Sequence, residues 1–292
     1  MSPHALGIVL LVFVTVVWGS TFPIVKGATD TLAPATLLAW RFTLAMVVLV
    51  PFLLRTTRLL WRDGFVLGVW LTIGYASQTL GLQTTSANRA AFITGLSVVL
   101  VPLWLAGTAK QKLSVRLWGA AFFALAGIGL LSWEGGALVI GDAWVLLCAL
   151  SYAGYILALE KLAAEHASLQ LTAVQVAATG LLCWAWAIFS GGAIVPSGAD
   201  QWLPLLYLGL VATAFTTFLQ TVGQRRVTAP EAAIIYALEP VTASVFSFLL
   251  LKERVGLRGL AGGALVVLAM VLSQLPDKTD KRAKVRDHGL AE

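Results

Sequence analysis

Ten apolar runs, each close to 20 residues, divide this chain and leave little between them. They are Ala5 to Lys26, Ala35 to Leu54, Gly64 to Gln83, Ala90 to Ala109 and Val115 to Ser132, then Asp142 to Leu159, Leu171 to Phe189, Trp202 to Gly223, Ala232 to Leu251 and Leu257 to Leu275. A helix rises about 1.5 Å per residue, so about 20 residues cross the hydrocarbon core of a bilayer. An outer-membrane strand would need about 10 residues of alternating polarity, and no run has that pattern. Only 12% of the 292 residues are charged, half of the roughly 25% that keeps a soluble domain in water. The expected fold is an all-α membrane protein of ten transmembrane helices joined by short loops. The longest loop, around Gly191 to Gln201, is too short for an extramembrane domain.

The start, Met1-Ser2-Pro3-His4, has no basic residue, and the run after it is too long for a signal-peptide core, so the first span is expected to be retained. Loop charge sets the orientation. With the N-terminus in the cytoplasm, that side holds fourteen basic residues: Arg55, Arg58, Arg62, Lys110, Lys112, Arg116, Lys161, Arg225, Arg226, Lys278, Lys281, Arg282, Lys284 and Arg286. The other side holds six: Lys26, Arg41, Arg89, Lys252, Arg254 and Arg258. Both termini are therefore expected in the cytoplasm, with residues 276–292 as a basic tail. The net charge of +6 reports topology and not a nucleic-acid partner. Cys148 and Cys183 lie inside apolar runs and form no disulfide or metal-ligand pattern.

The chain also matches itself. A shift of 142 places Gln78-Thr79-Leu80-Gly81 on Gln220-Thr221-Val222-Gly223. Without a gap it also places Ala87, Ala90, Ala91, Ile93 and Leu96 on Ala229, Ala232, Ala233, Ile235 and Leu238, then Lys110 on Lys252 and Arg116 on Arg258. A shift of 134 relates the first two spans to the sixth and seventh, with Trp18 on Tyr152 and Arg41 on Gln175. The repeats are residues 5–132 and 142–275. Each has five spans, an odd number, so the second is inverted relative to the first, as in many transporters.

The Trp18-Gly19-Ser20 end of span 1, Arg41-Phe42 in span 2, Glu239-Pro240 in span 9 and Leu251-Lys252-Glu253-Arg254 before the small-residue tenth span form an ordered set. In these motifs the chain resembles the ten-helix EamA-type transporters of the drug/metabolite transporter superfamily, and within it is similar to bacterial inner-membrane exporters of aromatic and other amino acids. The resemblance implies a central cavity lined by spans 1, 3, 4, 6, 8 and 9, worked by alternating access.

Polar side chains inside spans mark cavities or partners. Thr72, Tyr75, Gln78 and Thr79 share one face of span 3, and Thr213, Thr216, Thr217 and Gln220 share one of span 8. The 142 shift pairs Tyr75 with Thr217 and Gln78 with Gln220, as symmetric walls of one cavity require; interhelical hydrogen bonding is the plainer alternative. Span 4 adds Thr94, Ser97 and Trp104, and span 9 adds Tyr236, Glu239 and Thr242, with Pro102 and Pro240 expected to interrupt these two spans. Trp18, Tyr152 and Tyr155 offer aromatic surface to an amphipathic solute. Trp61, Trp118, Trp133, Trp144 and Trp202 fall at span ends, the ordinary interfacial belt. Glu239, the one carboxylate deep inside a span, must be protonated, wet or paired, and Arg41 is its expected partner if their spans approach. Gly259, Gly262 and Gly263 read as close helix packing, expected within one chain, with a dimer contact as the alternative.

Other classes fit less well. An intramembrane enzyme needs an acid–base pair or metal cluster, yet His4, His166 and His288 lie outside the spans or at their edges. A phosphate or nucleotide-sugar carrier needs several cations facing the cavity, and only Arg41 qualifies. An acid in span 1, as small multidrug exporters use, is missing. No nucleotide-binding motif is present, so no cofactor is expected. The expected partners are a small-molecule substrate and the lipid bilayer; nothing in the sequence requires an oligomer.

Overall fold

The structure is a computed structural model that describes residues 1–54, 56–108, 114–132, 137–191, 195–251 and 256–274. Arg55, Lys110, Lys112, Trp133, the Lys252-Glu253-Arg254 segment and the basic tail lie outside the described residues. The helices are α1 (Pro3–Ala28), α2 (Pro34–Leu53), α3 (Arg58–Leu82), α4 in two pieces (Ala87–Gly95 and Ser97–Thr108) and α5 (Val115–Ser132). The second set is α6 (Ile140–Glu165), α7 (Ser168–Phe189), α8 (Ala199–Gln224), α9 in two pieces (Ala229–Tyr236 and Glu239–Leu251) and α10 (Leu257–Gln274). Among the described residues seven of these helices are long and apolar enough to cross a membrane; α5 and α10 are shorter apolar helices, and α9 is the broken tenth segment. Large apolar side chains face outward, Leu181 at 66% and Phe122 at 67% exposed, as suits a body surrounded by lipid. The protein is an all-α membrane protein.

Side-chain caps start several helices where loops give way to apolar sequence. Ser2 Oγ accepts from the Ala5 amide at 3.2 Å, Thr57 Oγ1 from Leu60 at 3.2 Å and Ser86 Oγ from Arg89 at 3.1 Å. Thr228 and Glu231 form a reciprocal capping box, the Glu231 carboxylate accepting from the Thr228 amide at 2.8 Å. Ser86 and Thr228 are 142 residues apart, so the repeat extends to the caps.

Contacts between helix ends follow the alternation expected of consecutive antiparallel spans. At the near end, where α1 begins, His4 meets Glu231 at the start of α9 (3.5 Å) and Asp63 at the start of α3 meets His166 after α6 (2.8 Å). At the far end, Arg89 at the start of α4 meets Asp142 at the start of α6 (2.7 Å), and Lys26 of α1 donates to the carbonyls of Leu82 and Thr85 beyond α3 (3.1 and 2.9 Å).

Glycines draw the two repeats together in matching places. A Cβ on Gly81 of α3 would lie 2.9 Å from the Gly141 carbonyl of α6 and 2.5 Å from Val145. A Cβ on Gly223 of α8 would lie 3.3 Å from the Gly7 carbonyl of α1 and 2.7 Å from Leu11. Shifts of 142 and 134 convert the first contact into the second, so α3 packs on α6 at the far end as α8 packs on α1 at the near end. In α10, the Gly262 carbonyl would lie 2.6 Å from a Cβ on Gly127 of α5, so this small-residue stripe packs within the chain.

The helix breaks correct one expectation. In α4 the break falls at Leu96, and helix continues through Pro102, whose missing N–H does not end it. In α9 it falls at Ala237-Leu238, and Pro240 sits in the first turn of the second piece, where no intrahelical N–H is needed. Leu96 and Leu238 are 142 residues apart. The break thus belongs to the repeat and not to the prolines.

Candidate functional site

A cleft opens between the repeats at the two broken helices. Its unfilled space, counted with the open mouth, is about 570 Å³, and its lining comes from α1, α3, α4, α6, α8 and α9. Nine residues expected from sequence line it: Trp18, Gln78, Thr94, Ser97, Tyr152, Tyr155, Gln220, Tyr236 and Glu239. Leu71, Gly95 and Ile156 complete the wall. Leu71, Gly95 and Ile156 escape a search for intramembrane polar groups because they are apolar.

Four other singled-out residues stand behind the lining. The Tyr75 ring packs edge-on against Tyr152 (5.9 Å) and Phe42 (5.2 Å) and lies under the Arg41 guanidinium (4.6 Å). Thr79 donates to the Tyr75 carbonyl in its own helix at 2.7 Å, the usual way a threonine is satisfied in a helix. Trp104 packs edge-on against Trp70 at 6.0 Å, and Thr217 is buried with its carbonyl accepting from Thr221 at 2.8 Å.

Arg41 does not pair with Glu239. Its Nε donates to Thr213 Oγ1 at 2.7 Å and its Nη2 to the Ala212 carbonyl at 3.2 Å. Both acceptors lie in a π-helical stretch of α8, Tyr207–Phe215. Two neutral acceptors and an aromatic face therefore hold the buried cation. The Glu239 carboxylate has no ion pair or hydrogen bond among the described residues; only its backbone carbonyl is used, by Thr242 at 3.0 Å.

The polar groups around the cleft are unevenly satisfied. Toward the near end, Tyr155 OH donates to Gln175 Oε1 at 2.8 Å and lies 3.4 Å from Gln220 Oε1. The Gln175 amide reaches Thr221 Oγ1 at 3.2 Å, and the Gln224 amide reaches the Ile156 carbonyl at 3.1 Å. These bonds tie α6 and α7 to α8 directly below the cleft. The repeat-equivalent residues toward the far end are Thr21, Arg41, Gln78 and Thr79, and they do not bond to one another: Thr21 donates to the Trp18 carbonyl, and the Gln78 amide has no partner among the described residues. Thr94 Oγ1, at a residue only 5% exposed, has no oxygen or nitrogen partner there either.

One group at the near end has the makings of a metal site. Asp63, Glu165 and His166 bring ligand atoms within 4.8 Å of one another. Asp63 already accepts from His166 and from Arg62 at 2.9 Å, so its charge is matched without an ion.

Comparison with known proteins places this architecture. The EamA-like transporter family matches residues 5–133 and again 139–275. An uncharacterized transporter of Archaeoglobus fulgidus is 32% identical over 267 residues, covering 91% of this chain and 84% of that protein. A probable biotin transporter of Pseudomonas aeruginosa is 26% identical over 287 residues, covering 91% of this chain and 96% of its own. A crystal structure with 20% sequence identity shares the fold at a TM-score of 0.74, covering 91% of this chain and 95% of the other. Matched over both repeats, the chain belongs to the EamA-like transporter family.

Proposed function

We propose that this protein exports small amphipathic metabolites across a bacterial inner membrane by alternating access, and that amino acids, aromatic ones included, are its leading substrates. The observation that carries the proposal is an asymmetric near-end seal. Tyr155, Gln175, Gln220 and Thr221 are hydrogen-bonded together across α6, α7 and α8 toward the near end. Their repeat equivalents Thr21, Arg41, Gln78 and Thr79 do not bond to one another, and the far end is joined by other pairs, Ser20 with Tyr207 and Arg89 with Asp142. An inverted repeat can exchange these two arrangements, and that exchange moves access from one face to the other. The lining supports this reading of the substrate class, with aromatic faces at Trp18, Tyr152, Tyr155 and Tyr236 beside amide and hydroxyl groups. Multidrug or other metabolite export is the alternative, and the relative named a probable biotin transporter puts biotin on the test panel. Transport needs no chemistry on the solute, and the cleft offers one carboxylate with no second acid or base beside it in the lining.

Uptake into proteoliposomes containing the purified protein tests the function directly. Accumulation of at least one aromatic amino acid above protein-free liposomes is expected, with a pH gradient present or absent to report coupling. Transport of biotin with no amino acid moving would overturn the substrate class, and no transport of any solute the function itself. The near end is proposed to face the cytoplasm. A reporter fused after Pro276 is then expected to read cytoplasmic and one inserted near Gly198 periplasmic; the reverse pattern would invert the transport direction.

A further inference from the structure

The repeat that shapes the cleft also shows where it departs from symmetry. Positions 97 and 239 are equivalent under the 142 shift, and each begins the second piece of a broken helix at the cleft wall. One is serine and the other glutamate. The break falls at the equivalent place in both helices, so this exchange gives the cleft wall one carboxylate where the repeat has a hydroxyl. The Glu239 carboxylate has no cation and no hydrogen-bond donor among the described residues. The nearest candidate cation, Arg41, is held by Thr213 and Ala212. Glu239 is partly buried in the cleft wall; a carboxylate there with no partner from the protein is met best by a solute that brings its own cation. In the same lining the Thr94 hydroxyl is buried without an oxygen or nitrogen partner, and the Ser97 hydroxyl bonds no other described residue. Both hydroxyls can donate to an anion. The Trp18 and Tyr236 rings, also in the lining, lie 5.5 Å apart, tilted at 41°.

We propose that these groups form a site for a zwitterionic solute, with Glu239 receiving its ammonium group and the hydroxyls of Thr94 and Ser97, with the Gln78 amide, receiving its carboxylate. The site deepens the amino-acid transport proposed above and rests on it. Glu239 supplies a charge-assisted hydrogen bond, the Trp18 and Tyr236 faces add attraction for a cation, and Leu71, Ile156 and the aromatic wall take the apolar part of the solute. No electron transfer is required: the ammonium exchanges its hydration for the ionised carboxylate, and a Glu239 that is protonated before binding releases that proton to water in the open cleft as the cation arrives.

Three ligands of the same shape separate the two charges: phenylalanine, phenethylamine (no carboxylate) and 3-phenylpropionate (no ammonium). Binding is measured by calorimetry on the purified protein in nanodiscs, so transport itself is not the readout. Wild type is expected to bind phenylalanine and phenethylamine at least tenfold more tightly than 3-phenylpropionate. Glu239→Gln keeps shape and is expected to lose roughly 10- to 100-fold for the two amines while leaving 3-phenylpropionate unchanged or tighter. Ser97→Glu combined with Glu239→Ser moves the charge to the equivalent position and is expected to restore preference for the amines. Equal losses for all three ligands in folded Glu239→Gln, or wild-type preference for the acid, would overturn the proposal. Amine preference in a protein that moves no amino acid in proteoliposomes would leave the ammonium contact standing and defeat only the transport substrate. Failure of wild type to bind any of the three would defeat both.

Discussion

Gly19→Val is expected to eliminate folded protein, the largest effect of any single change to the cleft wall. A Cβ at position 19 would lie 2.0 Å from Thr242 Oγ1 and 2.8 Å from the Ala243 amide nitrogen. Both atoms belong to the second piece of α9, just after Glu239, so α1 and α9 approach backbone to backbone here. Thr242 cannot easily step aside, because its hydroxyl bridges the Thr15 carbonyl of α1 (3.2 Å) and the Glu239 carbonyl (3.0 Å). Overpacking of a tight contact costs about 1–3 kcal/mol for added methylenes, and valine adds the breakage of these two bonds. Gly19→Ala is expected to lower detergent-solubilised folded yield severalfold. Combining it with Thr242→Ala, which removes the clashing oxygen, is expected to recover part of that loss. Size-exclusion profiles and thermal unfolding in detergent report both outcomes. A Gly19→Val protein that is monodisperse with wild-type stability would show that α1 and α9 do not pack this way.

The same region shows what a sequence can carry and what it cannot. Gly19 stands in the Trp18-Gly19-Ser20 motif, but its reason for being glycine is a neighbour 223 residues away in the chain. Ten spans and their pairing into inverted halves were legible because hydrophobic length and gap-free register are properties of the chain itself. Each of the stripes on α3 and α8 contributes one residue to the cleft lining. Depth decides which: Gln78 and Gln220 reach the cleft, while Tyr75, Thr79 and Thr217 on the same stripes stop behind it. Periodicity gives direction around a helix and not distance from its neighbour. Charge pairing failed for a related reason. Arg41 and Glu239 are an evident pair by electrostatics alone, yet a carbonyl and a hydroxyl in the π-helical turn of α8 satisfy the guanidinium first. Backbone irregularity of this kind leaves little trace in composition. Pro102 misled in the opposite sense, since a helix held on all sides tolerates one missing donor.

Loosening the near-end seal is expected to change the side from which the cleft is reached. Gln175→Leu with Thr221→Val removes the amide and hydroxyl that join α7 to α8, and with them the acceptor for Tyr155. Each bond contributes about 1 kcal/mol net, so together they bias the two access states by about 2 kcal/mol, some 30-fold. The apolar replacements leave no orphan at these two positions, but the buried Tyr155 hydroxyl keeps only Gln220 Oε1 at 3.4 Å, so some loss of stability is expected beside the change in access. Access is read with Gln78→Cys in a background of Cys148→Ala and Cys183→Ala, using a membrane-impermeant thiol reagent on right-side-out and inside-out vesicles. The unmodified seal should favour labelling from the far end. The double variant should speed labelling from the near end by roughly 10-fold or more and slow it from the far end. An unchanged ratio in a folded double variant would show that these bonds do not gate the cleft. Faster labelling from both ends would mean the variant has opened a leak, because a true exchange between two access states must lose on one face what it gains on the other.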